Sequence, residues 1–109
     1  MSKSYSVLVD SQRTASAVNK VLQELYRSCE VQPEGWPTCA FTATSIIQEE
    51  LGELSKALLD YKYNASGEVQ AADIYTEAIQ LAAMAIKFLI HFVDYEGIYT
   101  GGVPMDRDE

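Results

Sequence analysis

The chain has 109 residues, 48% of them apolar and 22% charged, with eight basic against sixteen acidic residues and a net charge of −8. That balance is globular, and the length accommodates one domain with a thin core rather than two domains. The acidic surplus excludes general binding to duplex nucleic acid and disfavours anionic membranes, which both depend on basic patches; small anionic substrates stay open, because a bound divalent cation reverses the local charge.

The first ten residues are mixed, and Tyr5 to Val9 reads either as extended or as packed against a helix. Asp10 or Ser11 is a plausible N-cap for a first helix reaching about Cys29, along which Val18, Val21, Leu22, Leu25 and Cys29 recur at helical spacing. Pro33, Gly35 and Pro37 punctuate a loop over residues 30–38, and Thr38 is the expected cap of a second helix running to about Tyr61. Tyr63-Asn-Ala-Ser-Gly reads as a turn. The third helix starts between Glu68 and Asp73 and runs to about Asp94, where Glu96-Gly and then Thr100-Gly-Gly-Val-Pro end it. Residues 95–109 are expected to form a flexible tail, polar and frayed from Met105 onward.

Three helices and no sustained alternation of apolar and polar residues predict an all-α fold. It is a single domain over residues 1–109, a small bundle of three main helices with its core at about 12–94. The third helix carries Ala82, Ala83, Met84, Ala85, Ile86, Phe88, Leu89 and Ile90; a helix apolar on most sides belongs at the centre. Two other helices do not easily cover it in so short a chain. A bundle completed by homo-oligomerisation follows, as a dimer or tetramer with the third helix at or near the interface. The N-terminus lacks an apolar signal segment. The longest mostly apolar run, Ile79 to Val93, falls short of the roughly 20 residues a membrane span needs and is interrupted by Gln80, Lys87 and His91. A cytoplasmic protein without a membrane partner is expected, with Cys29 and Cys39 as free thiols. A single histidine, His91, and the lack of Cys-x-x-Cys exclude the usual zinc patterns.

The informative residues are acidic. At about 100° per residue, Glu50 falls inside the apolar arc formed by Ala43, Ile46, Leu54 and Ala57 on the second helix, Glu53 lies on its border, and Glu49 lies nearer solvent. On the third helix Glu77 falls among Leu81, Met84 and Phe88, while Asp73, Thr76, Gln80, Lys87 and His91 share a polar stripe beside it. Two helices thus each aim a glutamate at the core. A buried carboxylate is costly unless paired, protonated or bound to metal, and the cations at hand are few: Lys56 near Glu53, and Lys87 beside Gln80. Carboxylates converging from facing helices build metal sites in bundles. An all-oxygen set favours Mg²⁺ or Mn²⁺, and no Glu-x-x-His motif is present to supply the imidazoles of a di-iron site. A divalent-metal site and glutamates paired to lysine or to a partner chain both stay open on this ground.

Glu49-Glu50-Leu51-Gly52-Glu53-Leu54-Ser55-Lys56-Ala57 is similar to the Glu-Glu-x-x-Glu segment of the MazG-like proteins, which belong with the dimeric dUTPases to the all-α nucleoside triphosphate pyrophosphohydrolase superfamily. Glu77-Ala78-Ile79-Gln80 stands where that family has Glu-x-x-Asp, and Gly35-Trp36-Pro37-Thr38 with Phe41 is similar to the Trp-containing loop before the second helix. The resemblance covers roughly residues 12–93. It implies Mg²⁺-assisted (or Mn²⁺-assisted) hydrolysis of a nucleoside triphosphate to the monophosphate and pyrophosphate. Carried over, Glu50, Glu53 and Glu77 are metal ligands, Glu49 orients or deprotonates the attacking water, Lys56 contacts a phosphate, and Trp36 or Phe41 stacks on a base.

This chain departs from the family at Gln80. A glutamine oxygen can ligate Mg²⁺, but it is neutral and weaker than the aspartate it replaces. Asp73, one turn before Glu77, could restore the charge or could serve the helix N-terminus instead. The missing charge leaves a second reading, a non-catalytic MazG-like module that binds a nucleotide or a protein partner. Trp36 and Phe41 also read as packing at a helix entrance, Lys87 as a phosphate contact or a solvated or interface lysine, and His91 as a surface or interface residue near a helix C-terminus. Cys29 and Cys39 have no visible base for nucleophilic chemistry, and there is no glycine-rich phosphate loop.

Overall fold

The computed structural model describes residues 3–31, 35–64, 66–98 and 101, with side chains from Ser11 onward. Three helices follow one another: α1 (Lys3–Val31), α2 (Ala40–Tyr63) and α3 (Ala71–Ile90), with a 3₁₀ turn at Phe92–Asp94. No strand occurs among the described residues, so the all-α expectation holds.

The third helix is the middle one. It packs against both α1 and α2, whereas no described Cα of α1 comes within 8 Å of one on α2. Ala43 and Ala83 are fully buried, and their small side chains let α2 and α3 approach closely. Leu25 of α1 joins Ala83 and Met84 of α3 in the core, with Val21, Trp36, Ile46, Ile47 and Ile86 packed around them. The two flanking helices therefore do cover the middle of α3. The apolar surface left over lies elsewhere: Val18 and Tyr26 on α1, Leu51, Leu58 and Leu59 on α2, and Leu89 and Ile90 at the end of α3.

Element boundaries differ from the expected ones in several places. The first helix begins at Lys3, and Asp10 and Ser11 are interior positions rather than caps. No glycine or proline precedes Pro33, so once nucleated the helix propagates backward at little cost. Cys39, not Thr38, is the N-cap of α2, in an extended conformation and without a side-chain cap bond. The Thr38 carbonyl instead accepts the Glu96 N–H at 3.1 Å. The second helix runs on to Tyr63, so the turn lies after that residue. The third helix stops at Ile90, because Tyr95 folds back and its hydroxyl donates to the Phe88 carbonyl at 3.1 Å, which tightens the chain into the 3₁₀ turn. Pro33 of the expected loop, and residues 99–100 and 102–109 of the expected tail, lie outside the described residues.

That folded-back segment also anchors the loop before α2. The Trp36 indole N–H donates to the Tyr95 hydroxyl at 2.7 Å, and Tyr95 is 3% exposed, its ring 4.8 Å from that of Phe88. Cys29 and Cys39 are free and exposed. No described helix is long and apolar enough to cross a membrane.

Candidate metal centre

The α2–α3 contact brings three acidic side chains to one point. Glu50 and Glu53, on successive turns of α2, and Glu77 on α3 each offer a carboxylate oxygen, and these atoms all lie within 4.8 Å of one another. Glu50 and Glu77 are half-buried and Glu53 is exposed, so the cluster lies at the edge of the helix contact. Oε2 of Glu50 and Oε1 of Glu77 are sealed from solvent with no hydrogen-bond partner. Such orphaned acceptors in a folded interior demand either a proton or a cation.

The electrostatics follow from the geometry. Burial, and then the charges of Glu53, Glu77, Glu49 and Glu24, push the Glu50 carboxyl above its ordinary value of 4.5. Burial also raises Glu77, with Glu53 next in weight and Asp73 after it. Of the two lysines that the sequence places nearby, Lys87 has its ammonium over the Trp36 ring. Lys56 bonds Asp60 at 2.8 Å instead of Glu53, and Arg27 bonds Glu24. The intrachain lysine-paired alternative is thus not the arrangement adopted. Three carboxylates from two helices, two of them with unfilled buried oxygens, fit a hard divalent cation such as Mg²⁺ or Mn²⁺.

Two open clefts flank the cluster. One lies toward α1 and is lined by Glu24, Arg27, Glu49, Glu50, Gln80 and Met84, among others. The second is lined by Glu53, Lys56, Asp60, Asp73 and Glu77 with Ala57 and Val69. The remaining residues singled out in the sequence are placed as follows. Glu49 is exposed, beside Glu50 in the first cleft; Gln80 lies in that cleft too, half-buried. Asp73 accepts the Gln70 N–H on its Oδ2 at 2.7 Å, closing a capping box at the start of α3. That contact is the helix-start role, and it leaves Asp73 outside the three-carboxylate set. Trp36 is half-buried; its N–H is taken by Tyr95 and its ring stacks on His91 at 6.2 Å, which is the packing role at the helix entrance. Phe41, by contrast, is 84% exposed and packs against nothing in the core. Lys87 is buried rather than solvated, its ammonium 5.7 Å from the centre of the Trp36 ring.

Sequence reasoning missed Glu24 and Arg27. Their signal was present: Glu24 is one turn from Val21 and from Ser28, and so borders the buried side of α1 as Glu53 borders that of α2. No protein-family model matches the chain, and no curated protein or solved structure matches it either.

Proposed function

We propose that this chain is a Mg²⁺-dependent nucleoside triphosphate pyrophosphohydrolase of the MazG type, converting a (d)NTP and water to the (d)NMP and pyrophosphate, and acting in the cytoplasm on unwanted or excess nucleotides. The observation that carries the reading is the Glu50–Glu53–Glu77 cluster with its two buried, unpartnered oxygens. These three side chains would hold the cation, which when bound neutralises the triphosphate and stabilises charge as it develops. Glu49 stands beside them in the open, where a carboxylate can orient water and accept its proton. Lys56 borders the second cleft with Glu53 and Glu77 and, although it bonds Asp60, is exposed enough to meet a phosphate.

Homo-oligomerisation belongs to the same reading. A compact chain of this length has a radius of gyration of about 13 Å, whereas this one measures 17.0 Å and leaves large apolar side chains on its flanking helices exposed. A dimer or tetramer would cover them.

The deciding assay measures release of pyrophosphate and monophosphate from a panel of canonical and modified (d)NTPs with Mg²⁺ or Mn²⁺. Turnover is expected in the native chain and is expected to vanish in Glu53→Gln with helical content intact; retained turnover in that variant would overturn the site. Gln80 supports one further reading, a nucleotide-binding module without turnover, since a neutral amide stands in the first cleft where the family carries a charge. Nucleotide binding with Mg²⁺ but no hydrolysis of any triphosphate would decide for it.

A further inference from the structure

Arg27 is the one cationic side chain among the described residues that line the cleft of Glu49, Glu50 and Gln80. Its guanidinium forks onto Glu24, with Nε donating to Oε1 at 2.8 Å and Nη2 to Oε2 at 2.6 Å. The two partners are unequally covered: the Glu24 side chain is 15% exposed and that of Arg27 56%. The carboxylate therefore sits against the helices, and the guanidinium stands at the mouth of the cleft. Arg27 also lines the adjoining cleft between α1 and α3, together with Lys20, Tyr75 and Thr76. It stands where the two clefts meet, and Lys20, two turns earlier on the same face of α1, continues the positive charge away from the carboxylates.

This arrangement answers a charge problem. A triphosphate brings about four negative charges to a cleft that already holds Glu24, Glu49 and Glu50, and one divalent ion offsets only part of the repulsion. A guanidinium presents two parallel N–H donors that match a pair of phosphate oxygens as well as they match a carboxylate. Resting on the pyrophosphohydrolase reading, we propose that Arg27 is the polyphosphate clamp of this site, exchanging the Glu24 carboxylate for two oxygens of a metal-bound triphosphate. Glu24 holds the fork at the cleft mouth until the substrate arrives.

Calorimetric titration of the full chain tests this with Mn²⁺ alone and with Mn²⁺ plus inorganic triphosphate, on the native protein and on Arg27→Gln, Arg27→Lys and Lys62→Gln. Lys62, at the end of α2, borders neither cleft at Arg27, so its variant makes the same change in net charge at a remote place. Arg27→Gln is expected to keep the Mn²⁺ affinity within about threefold and to weaken triphosphate binding by about tenfold to a hundredfold, with Arg27→Lys in between and Lys62→Gln near native. An Arg27→Gln protein that binds Mn²⁺-triphosphate as the native chain does overturns the clamp and leaves the pyrophosphohydrolase reading standing. An equal loss in Lys62→Gln reduces the effect to net charge and also overturns it. A native chain that binds Mn²⁺ but no triphosphate overturns the underlying reading, and the clamp with it.

Discussion

Glu50 on α2 and Glu77 on α3 meet across the helix contact with one carboxylate oxygen each, Oε2 and Oε1, buried and without a hydrogen-bond partner. Both groups consequently hold their protons above the ordinary carboxyl value of 4.5, with burial the leading cause in each. Below that value the folded and unfolded chains are protonated alike. Above it the unfolded chain ionises first, and the folded state loses stability as pH rises through the raised values. Without divalent metal, the melting temperature is therefore expected to fall as pH rises above the ordinary carboxyl value of 4.5 toward neutrality. Mg²⁺ or Mn²⁺ should restore it at neutral pH, because a ligand that binds the folded state stabilises it. Thermal melts over that range, with chelator and with metal, check this; Glu50→Gln should flatten the chelated profile, and a native profile already flat would contradict the burial of the two groups.

Gln80 shares a cleft with Glu49 and Glu50 but carries no charge. Gln80→Asp adds a carboxylate at a half-buried position beside the cluster, and it is expected to tighten Mn²⁺ binding by about tenfold or more while lowering stability in chelator. Titration calorimetry and melts of the same variant measure the two effects, which must move in opposite directions. A variant that gains no metal affinity would place Gln80 outside the coordination sphere.

The Tyr95 hydroxyl accepts from Trp36 Nε1 and donates to the Phe88 carbonyl, and Tyr95 is almost wholly buried. Tyr95→Phe leaves both of those groups without this partner, at an expected cost of about 1–3 kcal/mol. Denaturant unfolding gives the loss directly. The emission of Trp36, the one tryptophan of the chain, should shift in the folded variant, while Mn²⁺ affinity should stay near native because the contact lies outside the carboxylate cluster.

Leu51 and Leu58 lie two turns apart on one face of α2, and about half the surface of each is exposed. Light scattering of the native chain is expected to give at least twice the 12.1 kDa of one copy. Leu51→Glu with Leu58→Glu should reduce it to one copy by placing charge in the apolar contact. A native mass of 12.1 kDa at micromolar concentration would overturn the oligomer.

Helical periodicity made most of the fold legible. The central position of the third helix followed from residues 82–90 being apolar on nearly every side, and the burial of Ala83 and Met84 bears it out. The ordering of the glutamates was legible for the same reason: Glu50 lies inside the apolar arc of its helix, and Glu53 and Glu49 lie at or beyond its border, as their exposures show. Boundaries were less legible. Thr38 and Asp10 have the chemistry of N-caps, but one has its carbonyl taken by Glu96 and the other lies within a helix that nothing upstream interrupts.

By itself the sequence determined which faces of which helices are apolar, and hence that two helices carry acidic groups on a face that must be buried. Those are properties of spacing along one helix. Tertiary structure alone decided which carboxylates meet, because the distance from Glu53 to Glu77 depends on how α2 docks on α3. It drew Glu50, Glu53 and Glu77 together, kept Asp73 for the start of its own helix, and brought Glu24 and Arg27 from α1 to the cleft that Glu50 lines. No periodicity encodes a meeting between helices whose faces are joined only by packing.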